Sequence, residues 1–198
     1  MQSKTRTRAP KRVVQGQPSW RLASTAVEAF VTEKGGHLGP ITFERQGRKL
    51  RPYSVAPWVE EAPVGPMPPI IRVLRGDFFC LPFGGNATPF HGKKYPVHGE
   101  TANERWQFQS LATRQDRHAL HLSLRTKVRP GRVDKRIWLV DGQNVVYVQH
   151  TVSGMSGPMN LGHHAMLKFP EAPGSGRVST SRFVYGQVLP RPFERAEK

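Results

Sequence analysis

The chain has 198 residues, of which 37% are hydrophobic and 22% charged, a length that suits one domain able to bury roughly 70% of its unfolded surface. Its 19 Gly and 18 Pro stay below the roughly 25–30% that marks a low-complexity chain, and no apolar run approaches the about 18 residues of a membrane-spanning helix. A formal charge of +16 suits polyanions, but the densest basic cluster (Lys4, Arg6, Arg8, Lys11, Arg12) is N-terminal and the other Arg and Lys are scattered singly. That distribution reads as a solvated basic surface.

Residues 1–18 read as a disordered basic arm, able to contact nucleic acid only non-specifically. No apolar segment backs the basic N-terminus, which argues against a secretory leader and makes the cytoplasm the expected location. Residues 19–25 and 26–32 alternate as strands do, and a Gly-rich turn (Gly35, Gly36, Gly39) leads into a strand over 41–45. Gln46-Gly47 then closes a tight hairpin into residues 50–55.

Between residues 57 and 69 stand Pro57, Pro63, Pro66, Pro68 and Pro69, so the stretch is expected to be a long loop without helix, with Trp58 over a groove. Extended pattern resumes at 72–74 and 78–81. Cys80 lies in the apolar run Asp77-Phe78-Phe79-Cys80-Leu81 and reads as a small buried hydrophobe. From Trp106 onward, residues 106–113, 118–126, 132–140 and 144–152 form an antiparallel meander separated by turn residues. Leu120, Leu122 and Leu124 fall on one face and His121, Ser123 and Arg125 on the other. Only Arg136-Ile137-Trp138 interleaves charge and aromatic as a single-strand stacking platform requires. One or two further strands are expected over 177–189, then a charged tail over 191–198. The whole predicts an all-β antiparallel domain over residues 19–190.

The segments that carry chemistry lie on either side of this meander. Tyr95-Pro96-Val97-His98-Gly99-Glu100-Thr101-Ala102-Asn103-Glu104-Arg105-Trp106 gathers an imidazole, a carboxylate, an amide and an indole on a loop. Asn160-Leu161-Gly162-His163-His164 places neighbouring histidines that, if extended, face opposite ways.

Together these motifs resemble the aldose 1-epimerase, or galactose mutarotase-like, family. Gly36-His37-Leu38-Gly39 with Ile41-Thr42-Phe43 resembles its first hairpin, His98-Gly99 its Leu-His-Gly motif, and Asn160-Leu161-Gly162-His163-His164 its Asn-Leu-Thr-Asn-His run. The resemblance implies a β-sandwich with a sugar in an open groove, the sugar an aldose with or without phosphate, and no cofactor or metal. It implies catalytic roles for His164 and His98, with Asn86 and His163 binding the substrate, while Glu100, Asn103 and Trp106 are candidate substrate-binding residues from their place in the His98 loop. The family's Asn-Arg pair is represented only by Asn86, and nothing after His164 matches the motif of its general-base glutamate. Such a chain is expected to bind sugar and turn it over slowly, because each well-placed acid or base is worth about 10²–10⁴-fold.

Rival readings are a carbohydrate-binding module in which Trp58, Trp106 and Trp138 stack on sugar while His98, Asn103 and His164 hydrogen-bond it, and a metal site built from His98, Glu100 and His150.

Overall fold

The computed structural model describes residues 10–59 and 68–188. Among the described residues, six strands form the first part of the chain: β1 (Lys11–Val14), β2 (Gln17–Ala23), β3 (Val27–Thr32), β4 (Leu38–Arg45), β5 (Arg48–Leu50) and β6 (Asp77–Cys80). The meander follows as β7 (Gln107–Arg114), β8 (Arg117–Thr126), β9 (Gly131–Val140) and β10 (Tyr147–Ser153), and β11 (Gly162–Ala165) closes the series. Every strand pairing is antiparallel.

One sheet has the order β1-β2-β3-β4-β6-β11 with β5 on β4, and the other the order β10-β9-β8-β7. Their inner faces meet in a shared core in which Trp20, Leu22 and Ile41 from the first sheet join Leu122, Ile137 and Leu139 from the second. The chain is therefore the expected all-β antiparallel sandwich, its core built by the period-2 burial of apolar side chains.

Several local expectations are corrected. Residues 11–14 and 17–18 belong to β1 and β2, paired through Lys11↔Trp20 and Val14↔Gln17, so the basic arm does not extend to residue 18; residues 1–9 lie outside the described residues. The proline-rich stretch is not free of helix. Pro57–Val59 forms a 3-10 turn and Pro69–Arg72 a single helical turn that begins on Pro69, where the missing N–H is one the helix would leave unbonded anyway. That turn displaces the strand expected over 72–74. Residues 60–67 lie outside the described residues, as do 189–198, which include the expected tail.

The chain divides into two compact units, residues 1–168 and 169–198. Both sheets belong to the first. In the second, residues 169–188 contain no strand, contrary to expectation. They hold a turn in which Ser175 Oγ donates to Ala172 O over 2.6 Å, and Val178, Phe183, Tyr185 and Val188 are exposed.

Candidate functional site

The pairing of β6 with β11 organises the histidines. Register sets His164 opposite Phe78 and His163 opposite Phe79, and paired residues project to the same side of a sheet. The neighbouring histidines therefore face opposite ways.

On the Phe78 side, His164 stacks on the phenyl ring with centroids 4.7 Å apart and planes 11° from parallel. His37 stacks on the same ring at 4.4 Å. His98 reaches this point from its loop, meeting Phe78 edge-on at 5.8 Å, Phe83 at 5.4 Å and His164 at 5.0 Å. The loop is shaped for this: His98 (φ 58°) and Gly99 (φ 78°) both take the left-handed region, and His98 N donates to Gly84 O over 2.8 Å. The Nδ1 atoms of His98 and His164 are buried with no partner among the described residues. Burial first, and then the neighbouring His164, pushes the pKa of His98 below its ordinary value, so His98 is a neutral acceptor at pH 7.

On the Phe79 side, His163 Nδ1 lies 2.8 Å from Asp77 Oδ2. His150 stacks on Phe79 at 4.1 Å and stands 5.1 Å from His163. Lys135, fully buried on β9, donates to Gly36 O. Its ammonium is pulled down to about 8 by burial, with Asp77 and Cys80 opposing.

The other residues expected to touch substrate are engaged with the protein. Glu100 spends both carboxylate oxygens on the chain, accepting from Lys127 N at 2.8 Å and Val128 N at 3.1 Å. Asn103 Nδ2 donates to Val97 O and Gly99 O, each over 2.7 Å, and holds the His98 loop. Trp106 is a core residue 2% exposed, its indole donating to Thr101 O, so it offers no ring face to a ligand. Trp58 donates to Ile71 O. Asn86 Nδ2 donates to Pro96 O over 2.8 Å, and its residue also lines a depression of about 280 Å³ with Thr88, Tyr95, Arg129 and Asn160. Tyr95 Oη is buried there without a partner among the described residues. Asn160 ties this depression to the histidines by donating to Phe83 O over 2.9 Å.

The metal reading is overturned. No cluster able to hold an ion occurs among the described residues, because the Glu100 carboxylate is consumed by backbone amides and His98 and His150 pack on Phe78 and Phe79, which alternate to opposite faces of β6.

Sequence reasoning missed Phe78, Phe79, Phe83, His37 and Asp77. Two adjacent aromatics in a short apolar strand resemble core, and only the β6–β11 register shows that each carries an imidazole. Cys80 is buried, its thiol pushed up to about 12 by burial, which suits packing and not nucleophilic attack.

No family model and no curated protein matches the chain. Among solved structures, HI1317 is similar over 72% of this chain and 47% of its own, with 16% identity and a TM-score of 0.51. A candidate mutarotase (YeaD) from Salmonella typhimurium is similar over 67% of this chain and 46% of its own, with 14% identity and a TM-score of 0.45. The chain thus spans about half the length of the solved structures it matches, and its likeness to HI1317 is a likeness of fold.

Proposed function

We propose that this domain binds an aldose beside the His98–His164 pair and presents the acid half of a mutarotase-like site. The observation that supports this best is the meeting of His98 and His164, far apart in sequence, at 5.0 Å over Phe78, since these are the histidines that the motif resemblance assigns to catalysis. The adjoining depression, with the amide of Asn160, the phenol of Tyr95 and the guanidinium of Arg129, offers the polar groups a sugar needs.

Interconverting anomers requires a base for the C1 hydroxyl proton and an acid for the ring oxygen; the ring opens, C1 rotates and the ring recloses. In this reading a ring N–H of His164 donates to the ring oxygen, and neutral His98 accepts from a sugar hydroxyl. A base is lacking on this face among the described residues: Glu100 is occupied, and Asp77 lies on the opposite face of β6 with His163. Binding with slow turnover follows, because a missing base forfeits about 10²–10⁴ in rate.

Titration calorimetry with glucose and galactose, with polarimetry on the same samples, tests this. The wild type binds at pH 7 and accelerates mutarotation little, His98→Ala weakens binding, and affinity falls as pH is lowered and His98 takes up a proton. Affinity identical in wild type and His98→Ala, or heat of binding absent with both sugars, would rule the reading out.

A further inference from the structure

Arginines that look scattered in sequence converge on one surface. In the four-stranded sheet, Arg114 of β7 pairs with Arg117 of β8, while Arg136 and Trp138 of β9 sit opposite His121 and Ala119 of β8. The residues alternating with them, Leu120, Ile137 and Leu139, point into the core, so the arginines occupy the outer face. Arg114, Arg117 and Arg136 are exposed, and none forms an ion pair among the described residues.

The carboxylate within this face, Asp134, is already taken by Arg132 at 2.6 Å and His121 at 2.8 Å. Asp116, in the β7–β8 turn, forms no ion pair with either flanking arginine. The face therefore keeps an uncompensated positive charge.

Its shape adds to its charge. Small side chains at Ser110, Ala112 and Ala119 floor a depression of about 480 Å³ walled by Arg114, Arg117, Arg136 and Trp138. Trp138 lies parallel to Tyr147, centroids 5.3 Å apart and planes 4° from parallel, and the Arg117 guanidinium is 4.5 Å from the Trp138 ring centroid. Planar groups thus line one wall and unpaired cations surround the floor.

We propose that this outer face binds a single-stranded nucleic acid, its phosphates on Arg114, Arg117 and Arg136 and a base laid against the Arg117–Trp138–Tyr147 stack. Bases stack on aromatic and guanidinium planes with little regard to sequence. A duplex keeps its bases stacked internally and would use only the charges. A lipid surface calls for apolar side chains that project outward, whereas here Trp138 is half-buried in the wall of a concavity and Tyr147 is half-buried against it. This proposal is independent of the sugar site on the other sheet.

The test is fluorescence anisotropy of a labelled oligothymidylate with the full chain over a salt series. Each phosphate neutralised on a single strand contributes about 0.7 to the slope of log affinity against log salt, so replacing Arg114, Arg117 and Arg136 together with Gln should flatten the slope by about 2. Trp138→Leu, with Tyr147→Leu as the milder second variant, should weaken binding about tenfold with the slope kept. Thermal melts confirm that each variant is folded. The proposal is overturned if the triple variant binds as wild type does, or if Lys4→Gln, Arg6→Gln and Arg8→Gln together abolish binding that the face variants leave intact. It is equally overturned if both aromatic variants bind unchanged, or if heparin competes as well as unlabelled oligonucleotide per unit charge, since the face would then be a plain polyanion surface.

Discussion

His37 is sealed from solvent, its Nε2 3.1 Å from Ala102 O and its ring against Phe78. Burial pulls its pKa down to about 3, with the Ala102 carbonyl opposing and Lys135 and Arg75 adding to the fall. The unfolded chain binds a proton here near pH 6.5, an ordinary value, which the folded state refuses until about pH 3. Because the folded value lies below the unfolded one, the stability it contributes is complete above pH 6.5 and is lost as pH falls through that window, at about 1.4 kcal/mol per pH unit for one proton. His150, lowered to about 2 by burial, then Lys135 and His163, acts in the same sense. Urea denaturation across this acidic range should show stability falling steeply, and His37→Gln, which keeps a hydrogen-bond donor, should remove about one proton's share of the slope. An unchanged slope would mean that His37 does titrate in the folded protein. The sequence offered His37 only as part of a hairpin motif; its burial depends on Phe78 and Ala102, which no local pattern connects to it.

At the scale of elements, β6 is the strand the histidines depend on, and the loop beside it holds them in register. Gly99 forms a bridge to Leu81, and a Cβ on Gly99 would collide with the Leu81 carbonyl. Gly47, in the β4–β5 hairpin, has a similar φ of 73° but open space around it. Gly47→Ala should cost about 1–2 kcal/mol, the price of a left-handed alanine. Gly99→Ala pays that and must also move backbone, so its loss in chemical denaturation should be clearly larger, and the His98 ring should shift away from His164. Equal losses in the two variants would show that the loop yields freely and does not position His98. The His98 and His163–His164 segments were legible because unusual side chains cluster within a few residues, and strands β8 and β9 because their alternation is regular. The helical turn Pro69–Arg72 and the strandless residues 169–188 were not: one is a single turn in a proline-rich setting, and the other carries apolar residues spaced as in a strand but pairs with no strand among the described residues.

At the scale of the molecule, the two sheets share one core, and this is what the alternating pattern of β2, β8 and β9 anticipates. What no single strand reveals is which strands lie side by side. The union of His98 with His164 and the gathering of Arg114, Arg117 and Arg136 both depend on that register. A shared core also makes the sheets stand or fall together. Ile41 on the first sheet and Leu122 on the second are each buried to 2% or less and belong to the same cluster; truncating either to Ala removes apolar contacts and leaves a cavity, at a cost of about 2–5 kcal/mol. If the sandwich unfolds as one cooperative unit, tryptophan fluorescence, which reports on Trp20 and Trp106 within the core together with the half-buried Trp58 and Trp138, and far-ultraviolet circular dichroism, which reports on strands of both sheets, should give coincident denaturation curves. Ile41→Ala and Leu122→Ala should then move both curves to lower denaturant together. If Leu122→Ala shifted fluorescence while much of the dichroism held to the wild-type midpoint, the sheets would be separate folding units, and a site that depends on β6 and β11 could survive the loss of the β7–β10 meander.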